Sequence, residues 1–93
     1  MTKEQFVDTF LTAIEYSYLY EYIAVAVETR GNKDIEIIIN PMCNVQDKLE
    51  YYKKAYNDNM VLNTYDGIRI VGVVAVDCDM TIETVELILK GEI

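Results

Sequence analysis

Apolar residues recur at three-to-four spacing near the start of the chain: Phe6, Val7, Phe10, Ala13, Ile14 and then Ser17 or Tyr18, with Glu4, Asp8 and Glu15 on the other side. That period is helical. Thr2, followed three residues later by Gln5, forms a capping-box pattern in which a hydroxyl and an amide satisfy the orphan backbone donors of a helix start. A helix is therefore predicted from there to about Leu19. From Tyr16 to Tyr22 the period slides into alternation (Tyr16, Tyr18, Tyr20, Tyr22), with neither glycine nor proline to mark the change.

Tyr22 to Thr29 is rich in β-formers, Arg30 to Asp34 supplies turn residues, and Ile35 to Ile39 is a second β-branched run, so a β-hairpin is predicted. Asn40-Pro41 ends it, because proline has no N–H to give a ladder. Asn44 with Asp47 resembles a helix start, and Val45, Leu49, Tyr52 and Tyr56 then follow at i, i+4, i+7 and i+11. Lys48, Glu50, Lys53 and Lys54 fall on the flanks or outer face, and Tyr51 is expected to be more exposed than Tyr52. Met60 to Thr64, the Asp66-Gly67 turn signal and Ile68 to Val76 predict a second hairpin. The last run is apolar at nearly every position, which predicts cover on both faces and a central place in the sheet, or a protein interface. Asp77, Asp79 and Thr81 break that run. Ile82, Val85, Ile88 and Leu89 predict a short closing helix, with Gly91 as its C-terminal cap. The expected fold class is α+β in one domain over residues 1–93: helix, β-hairpin, helix, β-hairpin and short helix, with a mainly antiparallel four-stranded sheet.

Composition narrows the chemistry. Ninety-three residues fit one domain, and 52% hydrophobic residues are too many for a disordered tail. The longest apolar runs fall far short of the roughly 20 residues that span a bilayer. Sixteen acidic against eight basic residues give a net charge of −8, which disfavours a direct nucleic-acid or anionic-membrane footprint. Histidine is absent, which removes Ser-His and Cys-His nucleophilic pairs and histidine-containing metal sites. Cys43 and Cys78 lack a Cys-x-x-Cys spacing and read as free thiols. Together with a start that lacks a signal-peptide stretch, they point to a reducing cytoplasm. A chain this short buries only about 60–65% of its unfolded surface, so homodimerisation is a live expectation.

Three features of the sequence carry candidate chemistry. Val73-Val74-Ala75-Val76-Asp77-Cys78-Asp79-Met80-Thr81 matches the Asp-x-Asp-x-Thr opening of haloacid-dehalogenase-like phosphotransferases, in which the first Asp attacks phosphorus and the second acts as acid/base with magnesium. Only twelve residues follow Thr81, too few for that family's later motifs, so an acidic turn capping the last helix is the preferred reading and neither a catalytic residue nor a cofactor is assigned. Asp77, Asp79, Glu83 and Glu86 form the densest acidic stretch, but a calcium loop would need Gly where Ile82 stands and Glu where Ile88 stands, so no metal site is assigned. The same carboxylates can imitate a phosphate backbone and occupy the basic channel of a nucleic-acid enzyme. Eight tyrosines without tryptophan favour protein contacts. Tyr52 and Tyr56 are assigned to the core, and Tyr51 with one or two of Tyr16, Tyr18, Tyr20 and Tyr22 to an interface. The partner-binding set is therefore Asp77, Asp79, Glu83, Glu86 and Tyr51.

Ile35 to Pro41, Lys48 to Asp58 and Ile68 to Gly72, about the central half of the chain, resemble small accessory proteins of phages and prophages of low-GC Gram-positive bacteria. Small acidic proteins of that group include anti-CRISPR proteins. The resemblance implies a non-enzymatic, stoichiometric inhibitor in the host cytoplasm that binds a CRISPR effector nuclease, or its nucleic-acid channel, without touching nucleic acid itself. The alternative expectation is a homo-oligomeric structural or interaction module of a phage or mobile element.

Overall fold

The computed structural model describes residues 1–32 and 34–91. Helix α1 spans Lys3–Glu15 and starts on the expected capping box: the Thr2 hydroxyl accepts from the Gln5 amide, and the Gln5 side chain accepts from the Thr2 N–H. It stops four residues earlier than its period suggested, and Ser17–Leu19 forms a single 3₁₀ turn instead. Burial explains the early end. Tyr16, Tyr18 and Leu19 are all exposed, Tyr18 by 80%, so no core contact offsets the modest helix propensity of tyrosine.

Strand β1 (Tyr22–Thr29) falls on the expected residues, and β2 (Glu36–Pro41) pairs with it antiparallel, from Tyr22 opposite Pro41 to Val27 opposite Glu36. Pro41 is tolerated because β2 is an edge strand with one unpaired side. A 3₁₀ turn, Met42–Asn44, leads into α2 (Val45–Ala55), which buries Val45, Leu49 and Tyr52 as its spacing predicted. Strand β3 (Ile68–Val76) is antiparallel to β1, and α3 (Ile82–Leu89) closes the fold on an N-cap from Thr81. Gly91 follows with φ +73°, the left-handed turn that a glycine permits at a helix C-terminus.

Among the described residues the sheet therefore has three strands in the order β2-β1-β3, not the expected four. The segment expected to be the third of four strands, Met60 to Thr64, is spent otherwise. Met60 is buried in the left-handed region at φ 59°, which breaks extension where a strand would begin. The Asn57 side chain accepts from the N–H groups of Asn59 and Val61, and Asn63 turns back to donate to the Ala55 and Lys54 carbonyls, capping the end of α2. Only Met60 to Leu62 touch the sheet: Ile70 donates to the Met60 carbonyl and Leu62 to that of Ile68. At Gly67 the exposed Tyr65 ring folds over the bare Cα, and an added Cβ would push that ring aside. The expected central place of Ile68 to Val76 is also corrected. The central strand is β1, with five consecutive buried residues, while β3 lies at an edge with a bulge opposite Ala26/Val27.

Helices cover both faces of the sheet. Ile23, Val25 and Val27 face α1 and α2, where Phe6, Phe10 and Tyr52 form an aromatic cluster with ring centroids 4.8, 5.1 and 5.8 Å apart. Ala24 and Val76 face α3, which brings Val85 onto them and Leu89 onto Gly72. The buried Asn40 ties the first layer together: its amide donates to the carbonyls of Ile23 (3.2 Å) and Ile38 (3.4 Å), and its oxygen accepts from the Tyr52 hydroxyl (3.3 Å).

Burial raises the Tyr52 hydroxyl pKa against the opposing Asn40 hydrogen bond, and burial with the neighbouring Tyr51 and Tyr52 pushes Tyr56 up to about 12. Both phenols are neutral in either state below the ordinary value of about 10. Above it the unfolded chain loses protons that the folded chain keeps, so stability should fall from about pH 10 toward about pH 12. Urea midpoints measured across that window should fall less steeply in Tyr56→Phe; equal slopes would refute the assignment.

Candidate partner-binding surface

The ends of the strands gather chain segments that are far apart in sequence. Tyr22 starts β1 opposite both Pro41 and Val76, so the turn at Ser17–Leu19, the turn at Met42–Asn44 and the Asp77–Thr81 connection all lie at one end of the sheet. The Glu21 N–H donates to the Val76 carbonyl at 2.8 Å, which sets Glu21 beside the start of the acidic stretch.

At this end the four predicted carboxylates take distinct positions. Asp77 is half-buried and its carboxylate accepts from the Asp79 N–H at 2.9 Å, an Asx turn that ends β3. Thr81 then accepts from the Thr84 N–H at 3.2 Å and starts α3, with Glu83 exposed in its first turn and Glu86 half-buried one turn on. Asp77 to Thr81 thus form the expected turn and cap. Among the described residues no group of three or more acidic, cysteine or histidine side chains is placed to hold a metal ion. Cys43 and Cys78 are exposed and free.

Charge is unevenly compensated. Arg30 pairs with Asp66 and Arg69 with Glu28, each at 3.1 Å, at the opposite end of the sheet. Lys48, Lys53 and Lys54 stand on α2, where Lys53 reaches Glu50 at 3.5 Å. Between Arg69 and Lys90 there is no basic residue, while Asp77, Asp79, Glu83 and Glu86 all fall in that interval. The acidic end therefore keeps its negative field, screened only by salt over about 8–10 Å.

Tyr51, the fifth predicted residue, does not join them. It is 53% exposed, as expected, but it lies on α2, over the other face of the sheet from α3. Its neighbours are the Tyr52 ring at 5.3 Å and the Lys48 ammonium at 5.9 Å from its centroid, a basic setting. The tyrosine brought to the α3 side of this end is the half-buried Tyr22, opposite Val76 and packed with Ala24, Val76 and Val85, while Tyr18 is exposed on the Ser17–Leu19 turn in edge contact with Tyr16 at 6.5 Å between centroids. Both belong to the alternating run Tyr16, Tyr18, Tyr20 and Tyr22 from which an interface tyrosine is expected. A recess of about 250 Å³ between Ile14, Ser17, Cys43 and Asp47 adjoins this end and is smaller than ordinary small-ligand sites. No described helix is long and apolar enough to cross a membrane.

Comparisons of this chain with protein-family models, with curated proteins and with solved structures find no match.

Proposed function

We propose that this protein is a non-enzymatic inhibitor of bacterial defence, encoded by a phage or prophage, which lays its acidic end in the nucleic-acid channel of a CRISPR effector nuclease. The observation that carries the reading is the run Asp77, Asp79, Glu83 and Glu86 on one turn and helix, without an ion pair among the described residues and with Glu21 brought to the same end through the sheet. The Asp77 carboxylate is held by the Asp79 N–H, and with the exposed carboxylates of Asp79 and Glu83 it presents negative charge that a basic channel built for phosphates can accept. Tyr18, 80% exposed on the Ser17–Leu19 turn at the same end of the sheet, offers an aromatic contact where bases would stack.

The test is co-purification of the tagged protein from a Gram-positive host that carries several CRISPR effectors, followed by cleavage assays on the recovered nuclease. Asp77→Asn/Asp79→Asn/Glu83→Gln/Glu86→Gln keeps side-chain shapes, and asparagine retains the Asx turn. It is expected to weaken binding on the order of 10- to 100-fold, with affinity of the unmodified protein falling as salt is raised. Tyr51→Ala should leave binding unchanged. Failure to recover any nuclease, or unaltered phage restriction in cells expressing the protein, would refute the proposal.

A further inference from the structure

The two outer edges of the sheet differ. The first residues of β3 are covered by Met60 to Leu62, and a bulge opposite Ala26/Val27 interrupts its ladder. Such devices keep an edge from pairing with another chain. β2 has none of them along its middle. Its pairing to β1 is regular from end to end, its centre is Ile37-Ile38-Ile39, and its other side meets no strand among the described residues. The face it shares with α3 is also incompletely covered. α3 packs mainly over β3 and β1, leaving Ile37 half-buried and Ile39 44% exposed.

We infer that β2 pairs with β2 of a second copy of this chain, antiparallel about a two-fold axis at Ile38, to make a continuous six-stranded sheet. An isologous contact must be self-complementary, and the sequence of β2 satisfies that condition in one register. Centred on Ile38, the strand Glu36-Ile37-Ile38-Ile39-Asn40 reads polar, three isoleucines, polar in both directions. Ile38 meets its own copy, Ile37 meets Ile39, and Glu36 meets the neutral Asn40, so no carboxylate faces another. Shifting the centre to Ile37 or Ile39 sets Glu36 or Asn40 against Ile38 instead. Ile37 and Ile39 stand opposite Ala26 and Ala24, on one face, so the register brings four isoleucines from two chains into one apolar patch and covers the exposed Ile39.

Charge agrees with this arrangement. Each copy carries −8, and a parallel side-by-side contact would crowd the two acidic ends. The two-fold reverses one strand, so the acidic end of one copy lies away from the acidic end of the other, toward its ion-paired Arg30–Asp66 and Arg69–Glu28 end, and only the net repulsion of the two chains is left for salt to screen. This pairing stands on the β2 edge and is independent of the inhibitor reading.

The test is sedimentation of the full chain over a wide concentration range, with amide exchange of residues 36–40. The expected result is a monomer–dimer equilibrium that tightens with added salt, with β2 amides protected as concentration rises. Ile39→Lys, a charge on an already exposed edge position, should weaken the dimer at least about tenfold. Ile39→Thr keeps the β-branch and should act in the same direction, so the outcome does not depend on one variant folding. Tyr51→Lys, on the other face, should dimerise as the unmodified chain does. A chain that stays monomeric throughout, or a dimer that both Ile39 variants leave intact, would overturn the inference.

Discussion

Phe6→Ala is expected to cost about 3–5 kcal/mol of folding stability, the usual range for emptying a buried aromatic site. Phe6 is fully buried, its ring lies 4.8 Å from that of Phe10, and it meets Tyr52 edge-on at 5.1 Å. Truncation removes both aromatic pairs, each contributing about 0.5–1.5 kcal/mol beyond area burial, and leaves a void between α1 and α2 that neither helix can close without leaving the sheet. A chain of 93 residues has only about 5–14 kcal/mol in total. The variant should therefore unfold at a much lower urea midpoint with an unchanged slope. Leu11→Ala, at a residue 51% exposed on the same helix, should move the midpoint little. A loss below about 1 kcal/mol for Phe6→Ala would mean the aromatic cluster is not the keystone of this layer.

Asn40→Asp should be as damaging and should carry a pH signature. The Asn40 amide nitrogen donates to two carbonyls, those of Ile23 and Ile38, at a fully buried site. An aspartate there would set a carboxylate oxygen against both carbonyl oxygens, with only the Tyr52 hydroxyl as donor. A buried charge without compensation costs about 3–5 kcal/mol, so the folded state will hold the acid protonated and raise its pKa. Below the unfolded value of about 4 the acid is neutral in both states, and the variant loses least there. As pH rises above that value the unfolded chain ionises first and the stability difference from the unmodified protein grows. Denaturation at pH 4 and pH 7, compared with Asn40→Ser, measures it. A difference from the unmodified protein that does not change with pH would show that the carboxylate finds water or a cation.

Local signals in the sequence located most elements. The Thr2/Gln5 box, the Tyr22–Thr29 strand, the Val45–Tyr56 stripe and the Thr81 start of α3 depend on neighbours within a few residues, and all four lie as expected. The strand count did not follow, because the backbone of Met60 and the capping work of Asn63 depend on α2 having already been placed. The apolar character of β3 likewise suggested a central strand, yet an edge strand with helices toward both faces needs the same residues. The acidic run was legible as a run. That Glu21 joins it, and that Tyr51 does not, required knowing which ends of β1 and β3 meet and which face of the sheet each helix covers.

The central strand acquires its second partner late in synthesis. β1 ends at Thr29, whereas the strand on its other side is complete only at Val76, 47 residues further on (76 − 29). At about 5–20 residues per second, the ribosome takes roughly 2–10 seconds to supply them. During that interval the β1–β2 hairpin has an open apolar strand on each side, and α3, which follows β3 in the chain, has not yet been made to cover Ala24. The nascent chain is thus most prone to aggregate midway through its own translation. Slow codons placed within residues 30–76 should lower the soluble yield more than the same codons placed before Tyr22.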